Sequence, residues 1–201
     1  MASGRLGLAR EECESPHLED VSRALDRSEA LIEDLLTLAR KGTGVDEMEP
    51  VELGSVAREC WGNVETDGET VRVENDVTVR ADESRLRQLL ENLFRNAVEH
   101  GSTSSQPGAD DAVEHGVKAV TVTVGELDAV DGFYVEDDGP GIPEGERDRV
   151  FETGYTTASD GTGLGLSIVQ RIAEAHGWEI TATAGETGGA RFEISGVETA
   201  G

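Results

Sequence analysis

Between Arg87 and Gly101 the chain reads RQLLENLFRNAVEHG. Gln88, Asn92, Asn96 and His100 recur at four-residue steps, the spacing that stacks side chains along one face of a helix. Asn is a mediocre helix former, so two of them one turn apart need a reason. Either the stripe is an exposed polar face, or its amide oxygens point into a site and hold a hard cation or a phosphate-bound water. Downstream, EDDGPGIP at 136–143 places Asp137 at the end of an apolar strand, ahead of an Asp-x-Gly-x-Gly turn. A carboxylate there can accept a hydrogen bond from an amine, although Asp-Gly alone is also an ordinary turn signal. Farther on, GTGLGLSIVQRIAEAHG at 161–177 leads Gly161, Gly163 and Gly165 into a helix. The free N–H groups of such a helix start attract phosphate. The pattern is neither a P-loop nor a Rossmann fingerprint.

Each motif is weak alone; their order within one small domain is specific. The chain resembles the catalytic ATP-binding domain of sensor histidine kinases, within the wider gyrase, Hsp90 and MutL type of ATPase, over roughly 51–197. That resemblance implies an ATP-dependent protein histidine kinase with ATP and Mg²⁺ as cofactors. It implies nucleotide contacts from Asn92, Asn96, His100, Asp137, Gly139, Gly141, Ile142, Phe151, Thr162, Gly163, Leu164, Gly165 and Leu166. Asp137 would read the adenine amine, Gly139 and Gly141 would let the backbone approach the purine, and Phe151 would anchor a glycine-rich lid. Asn96 would be the Mg²⁺ ligand through its amide oxygen. In the hydrolytic relatives the position of Asn92 is a water-activating glutamate; Asn cannot be a general base, which favours phosphoryl transfer to a histidine. Glu91 does not substitute, because adjacent helical positions do not share a face. Two features depart from the family: Glu99 stands where many members carry a cation, and no Lys or Arg lies between Arg149 and Arg171. A serine kinase of the anti-sigma type on the same fold, or a non-catalytic ATP-binding or dimerisation module, remain alternatives.

These residues must be positioned by ordered elements. Leu86, Leu89, Leu90, Leu93 and Ala97 form an apolar stripe beside the amide stripe, so a helix is expected from near Asp82, its N-cap. A short strand over 51–53, a helix over 55–65, and a pair of alternating strands over 71–75 and 77–80 are expected before it. After a flexible insertion at 101–116, strands are expected at 119–127 and 132–137. Then follow a loop over 139–161 with a helical turn near 146–151, a helix over 164–175, and a closing hairpin of 179–184 with 190–195. The fold class is α+β, a two-layer sandwich with a mixed sheet and helices on one face.

Ahead of it, 1–42 reads as a partial dimerisation hairpin and 43–50 as a linker. Leu18, Val21, Leu25, Ser28, Ile32, Leu35 and Ala39 alternate steps of three and four, a heptad seam. By the resemblance this would be the second hairpin helix, forming a homodimer in the full-length protein, with a response-regulator receiver domain as the other partner. His17 follows Pro16 at a helix start and lacks the family's surrounding signature, so the phosphoacceptor histidine is expected upstream of Met1.

The chain has 201 residues and a formal charge of −25, from 42 acidic and 17 basic residues. Such acidity opposes nucleic acid and anionic lipid as partners. No run approaches a membrane span, so a cytoplasmic location without membrane contact by this region is expected, although the full-length protein could associate with a membrane. Cys13 and Cys60 lack metal-site spacing and are expected as reduced thiols. The charge suits a cytosol of very high salt, as in haloarchaea, where the Debye length shrinks from about 10 Å at 0.1 M to about 3 Å at 1 M and self-repulsion is screened. Both the melting temperature and the affinity for ATP should therefore rise as KCl is raised from dilute buffer at fixed Mg²⁺. Melting curves and ATP titrations across KCl concentrations check this, and a steady fall in both would defeat it.

Overall fold

The computed structural model describes residues 21, 45, 47–64, 66, 68–101, 119–157 and 162–200. The expected insertion at 101–116 lies outside them except for Gly101, as do the linker in part and the heptad segment except for Val21. The unit described below belongs to Thr43–Gly201.

Its elements in order are β1 (Glu49–Glu52), α1 (Leu53–Trp61), β2 (Thr70–Val73), β3 (Thr78–Ala81), α2 (Glu83–Gly101), β4 (Thr121–Glu126) and β5 (Gly132–Asp137). A short 3-10 turn (Glu144–Glu146), α3 (Gly165–His176), β6 (Glu179–Ala184), β7 (Ala190–Ser195) and β8 (Thr199–Ala200) follow. The main sheet is five-stranded with order β2-β4-β5-β7-β6. β2 runs parallel to β4 and the other pairs are antiparallel, which gives the expected mixed sheet and α+β class. Val122, Val124, Phe133, Val135, Phe192 and Ile194 are buried along one face. Strand alternation sends their neighbours Thr123, Tyr134, Arg191 and Glu193 to the opposite face. The buried stripe of α2, including Leu86, Leu89, Leu90 and Leu93, completes the core with Ile168, Val169 and Ile172 of α3. Phe94 meets Trp61 of α1 edge to face at 5.3 Å. Cys60 lies behind it, with burial pushing its thiol pKa up to about 11, a reduced and unreactive packing group.

Two expectations fail. The segments around 71–75 and 77–80 are strands but not a pair: β2 joins the main sheet, whereas β3 pairs with β1 and β8 in a separate three-stranded sheet. The chain crosses between sheets at Asn75, whose φ is 54°. Asp76 accepts from Gly54 N–H at 2.8 Å and Val77 C=O from Leu53 N–H at 3.0 Å. The crossing thus supplies α1 with the cap that Glu52 does not, and α1 begins at Leu53, within the span expected as strand. The helical turn expected near 146–151 is present, with Val150 N–H donating to Glu146 C=O at 3.0 Å, and the 3-10 turn at Glu144–Glu146 leads into it. β1 starts at Glu49 and β8 ends at Ala200.

Asp82 caps α2 as expected, its Oδ1 accepting from Ser84 N–H at 3.0 Å and Arg85 N–H at 3.2 Å. The far end of α3 closes on the same point. His176 Nδ1–H donates to Ile172 C=O at 2.8 Å, and its Nε2 accepts from Asp82 N–H at 3.1 Å. The ring stacks on Trp178 at 4.0 Å. Both bonds together require the neutral imidazole. Burial lowers the His176 pKa, with the Asp82 carboxylate opposing and Arg85 assisting. A folded-state value below the unfolded one means stability is complete above the unfolded pKa of about 6.5 and is lost as pH falls through the folded value. Urea unfolding midpoints should drop as pH is lowered from 7.5 toward the carboxylate range, and His176→Phe should flatten the upper part of that slope.

Candidate functional site

The ends of α2, β5 and α3 converge. On α2, Asn92 is 4% exposed, and its Nδ2–H donates to Gln88 C=O at 2.8 Å. That bond fixes the amide and leaves its oxygen pointing away from its own helix. Asn96, one turn later, has its Nδ2 buried without a hydrogen-bond partner. Buried amides are rarely left so; the group is set to meet something the chain does not itself supply. Both Oδ1 atoms lie 3.3 Å from where a Cβ on Gly165 would stand. A side chain at Gly165 would crowd the amide stripe.

Gly165 opens α3. The preceding Leu164 makes no side-chain cap to the helix, and the first intrahelical bond runs from Ile168 N–H to Leu164 C=O at 3.0 Å. The N–H groups of Gly165, Leu166 and Ser167 are thus available at the positive end of the helix dipole, beside Asn96. Thr162, exposed, accepts from Leu164 N–H at 3.3 Å. Gly163 adopts φ 65° and packs on the backbone of Gly154, whose N–H donates to Gly163 C=O at 2.8 Å. Phe151 packs inward as expected, its ring meeting Phe192 edge to face at 6.3 Å, so the 151–154 loop clips the glycine-rich segment to the sheet.

At the third corner Asp137 is 9% exposed. Its Oδ1 accepts from Gly139 N–H at 2.9 Å and Ala190 N–H at 3.2 Å, leaving Oδ2 to accept from elsewhere. Burial raises the Asp137 pKa; the two N–H bonds oppose this, and Asp138 and Glu136 add to it. Gly139 lies close to Gly101 at the end of α2, next to half-buried His100, so the amide helix and the Asp-x-Gly-x-Gly turn touch. Gly141 has φ 74°, and a Cβ there would stand 2.5 Å from Gly188 C=O. These glycines are needed by the chain's own packing, a role the expectation of purine access did not include. Ile142 is half-buried, its carbonyl accepting from Arg147 at 3.2 Å. Glu91 bonds Asn63 at 3.1 Å, and Glu99 is exposed.

The arrangement offers an acceptor for an amine, free N–H groups for phosphate, and an amide oxygen for a hard cation. Among the described residues no group of three or more His, Cys, Asp and Glu could hold a metal. A cation with one protein ligand, completed by phosphate oxygens and waters, is the manner of Mg²⁺; Asn96 Oδ1, beside the start of α3, is the kind of oxygen it takes, whereas the orphaned Nδ2 is a donor and calls for an acceptor. The sequence reading missed Glu136, Arg191 and the 185–189 turn, which support Asp137 from behind. The only signal was the Gly188-Gly189 pair, which reads as any hairpin turn.

Residues 81–198 match the family model described as histidine kinase-, DNA gyrase B-, and HSP90-like ATPase. Sensor protein CutS of Streptomyces coelicolor is 33% identical over 85% of this chain and 41% of its own length. A structure of full-length ShkA in complex with AMPPNP superposes with a TM-score of 0.65 at 29% identity, over 98% of this chain and 43% of that one. The mycobacterial sensor histidine kinase MprB gives 0.55 at 28% identity, over 76% of this chain and 97% of that one. The chain spans less than half the length of the curated relatives it matches. No helix among the described residues is long and apolar enough to cross a membrane.

Replacing Asp137 tests binding and stability separately. Its folded pKa is raised, so the carboxyl favours the fold below its unfolded pKa and costs stability as pH rises through the folded value. Asp137→Asn keeps an acceptor for both N–H groups and removes the buried charge. Urea unfolding at neutral pH should show no loss of stability. Calorimetric titration should show adenine nucleotides bound about 10- to 100-fold more weakly, the worth of a hydrogen bond to a charged group.

Proposed function

The chain belongs to the histidine kinase-, DNA gyrase B- and HSP90-like ATPases, and we propose that it is the catalytic ATP-binding part of a two-component sensor histidine kinase. The observation that carries this reading is the convergence of the Asn92 and Asn96 amide oxygens on Gly165 at the uncapped start of α3, where the Asn96 Nδ2 donor is buried without a partner. CutS and MprB, named as a sensor protein and a sensor histidine kinase, support the kinase assignment, and the ShkA complex supports an adenine nucleotide as ligand.

Bound ATP with Mg²⁺ would supply the γ-phosphoryl group and offset its charge. Asp137 Oδ2 accepts from the adenine amine. The N–H groups at the start of α3 hold phosphate oxygens, with Thr162, Gly163, Leu164 and Leu166 shaping the backbone around them. Asn96 gives its amide oxygen to Mg²⁺, and His100, Gly139 and Ile142 line the approach. Asn92 is tied to Gln88 and carries no base. The site therefore has no group there to activate water, which favours a protein histidine as acceptor. The rest of the proposal is that the histidine lies on a dimerisation hairpin of which 1–42 is part, and that a response-regulator receiver domain takes the phosphoryl group onward. The acidic composition supports work at high salt.

Incubation with γ-labelled ATP and Mg²⁺ should leave no acid-labile label on this chain alone. Label should appear on an added histidine-bearing helical hairpin of a sensor histidine kinase. Asn96→Ala should abolish transfer and remove the Mg²⁺-dependent part of ATP binding, measured by calorimetry with and without the metal. Label on His17, or steady ATP hydrolysis without transfer, would overturn the reading.

A further inference from the structure

We infer that Glu136 is a positioning residue for nucleotide recognition, holding the β6–β7 turn so that its backbone fixes Asp137; this rests on the proposed role of Asp137. Glu136 and Asp137 are neighbours on β5, so their side chains leave opposite faces of the sheet. Asp137 faces the helices and the candidate site. Glu136, also 9% exposed, lies on the other face, where most side chains are half-buried or exposed polar groups.

Its two oxygens have separate partners. Oε2 accepts from the Arg191 guanidinium at 2.9 Å, across the register pair Glu136–Arg191. Arg191 is itself oriented, its guanidinium carbon 3.7 Å from the Tyr134 ring centre and its Nε–H donating to Glu193 at 2.8 Å. Oε1 accepts from Glu186 N–H at 2.8 Å, which lies in the turn joining β6 to β7. A Cβ on Gly185 would stand 2.9 Å from the same oxygen. The carboxylate thus sits directly on the turn, which closes on itself by Gly185 N–H to Gly189 C=O at 2.8 Å and Gly188 N–H to Gly185 C=O at 3.1 Å.

The other side of that turn meets the site. Gly188 C=O abuts Gly141, and a Cβ on Gly189 would collide with the Asp137 carbonyl oxygen. Immediately after, Ala190 N–H donates to Asp137 Oδ1. The turn is wedged between Glu136 on one face of the sheet and the 137–141 segment on the other. A sheet ion pair with no further role would bind only Arg191. Here the second oxygen holds the turn whose far end packs on and hydrogen-bonds to the adenine-reading carboxylate. Releasing that turn leaves Asp137 Oδ1 held by Gly139 N–H alone and so loosens the carboxylate and degrades recognition of the amine, while the phosphate contacts at α3 keep their geometry.

The test compares ATP with inosine triphosphate, which carries a carbonyl in place of the adenine amine. Binding of each is measured by calorimetry for the wild type, Glu136→Ala and Glu136→Gln, well below the melting temperature of the weakest variant. The Ala190 amide is followed by ¹H–¹⁵N NMR in the same samples. Glu136→Ala should move the Ala190 resonance and weaken ATP about tenfold, the scale of one charge-assisted hydrogen bond, with inosine triphosphate changed less than about twofold. Glu136→Gln, which retains an acceptor for Glu186 N–H, should recover most of the ATP affinity. Equal losses for both nucleotides would reduce Glu136 to a structural residue and overturn the inference, as would a shifted Ala190 amide with ATP binding intact. A wild-type chain that binds neither nucleotide defeats the functional reading instead. The Ala190 amide then still decides whether Glu136 holds the turn, and an unmoved resonance in Glu136→Ala overturns that too.

Discussion

A carboxylate buried at the end of β5 sets terms for the rest of the structure. Burying a charge is costly unless donors surround it, and Asp137 finds them in the N–H groups of Gly139 and Ala190. The second lies at the first residue of β7, so β7 must start beside the end of β5, and the turn before it must pass with no side chain in the way. Two residues along β7, Phe192 meets Phe151. Phe151 begins the loop whose Gly154 is bonded to Gly163, and Gly163 leads into α3. From there Gly165 faces Asn92 and Asn96. Contacts therefore run without a gap from the amine acceptor to the free helix N–H groups and the amide oxygens.

The packing of α2 against α3 shows how a polar site can be built into a core. α2 turns its leucines inward and its amides to one side. Replacing an apolar contact with an amide is tolerable only where the amide's hydrogen bonds are met. Asn92 meets its own helix, whereas Asn96 does not. The same helix is held at its N-terminus by Asp82 and His176 and along its back by Trp61 and Cys60 of α1. Such rigidity at its start and along its back is what an unpaired amide needs if it is to face a ligand and not collapse onto a neighbour.

Much of this was legible in the residues. Four-residue steps place the amide stripe, the leucine steps place the buried one, and the Asp82 cap and closing hairpin follow from local chemistry, whereas the Phe151 anchor comes from the family resemblance. What could not be read was pairing. Alternation in TVRV and TVRA is the same whether the strands pair with each other or with partners far away in sequence. The choice was made by Asp76 and Val77 bonding to the start of α1, contacts between residues more than twenty positions apart. The Glu136–Arg191 bridge was hidden for the same reason, since it exists only in the β5–β7 register. A Gly-Gly pair looks like any turn until its neighbour is known to be a buried carboxylate.

The site's composition bears on how so acidic a chain could hold a polyanion. With 42 acidic residues and no lysine or arginine from 150 to 170, long-range attraction cannot assemble the complex. What the geometry offers is short-range: helix N–H groups, an amide oxygen suited to a divalent cation, and one buried acceptor. Coordination and hydrogen bonds act at contact distance, so mobile ions weaken them less than they weaken exposed ion pairs. Screening meanwhile reduces the repulsion that the surface carboxylates exert on an incoming phosphate. On the proposed reading, an amide-based site and an acidic surface are compatible because salt acts strongly on the repulsion and only slightly on the contacts.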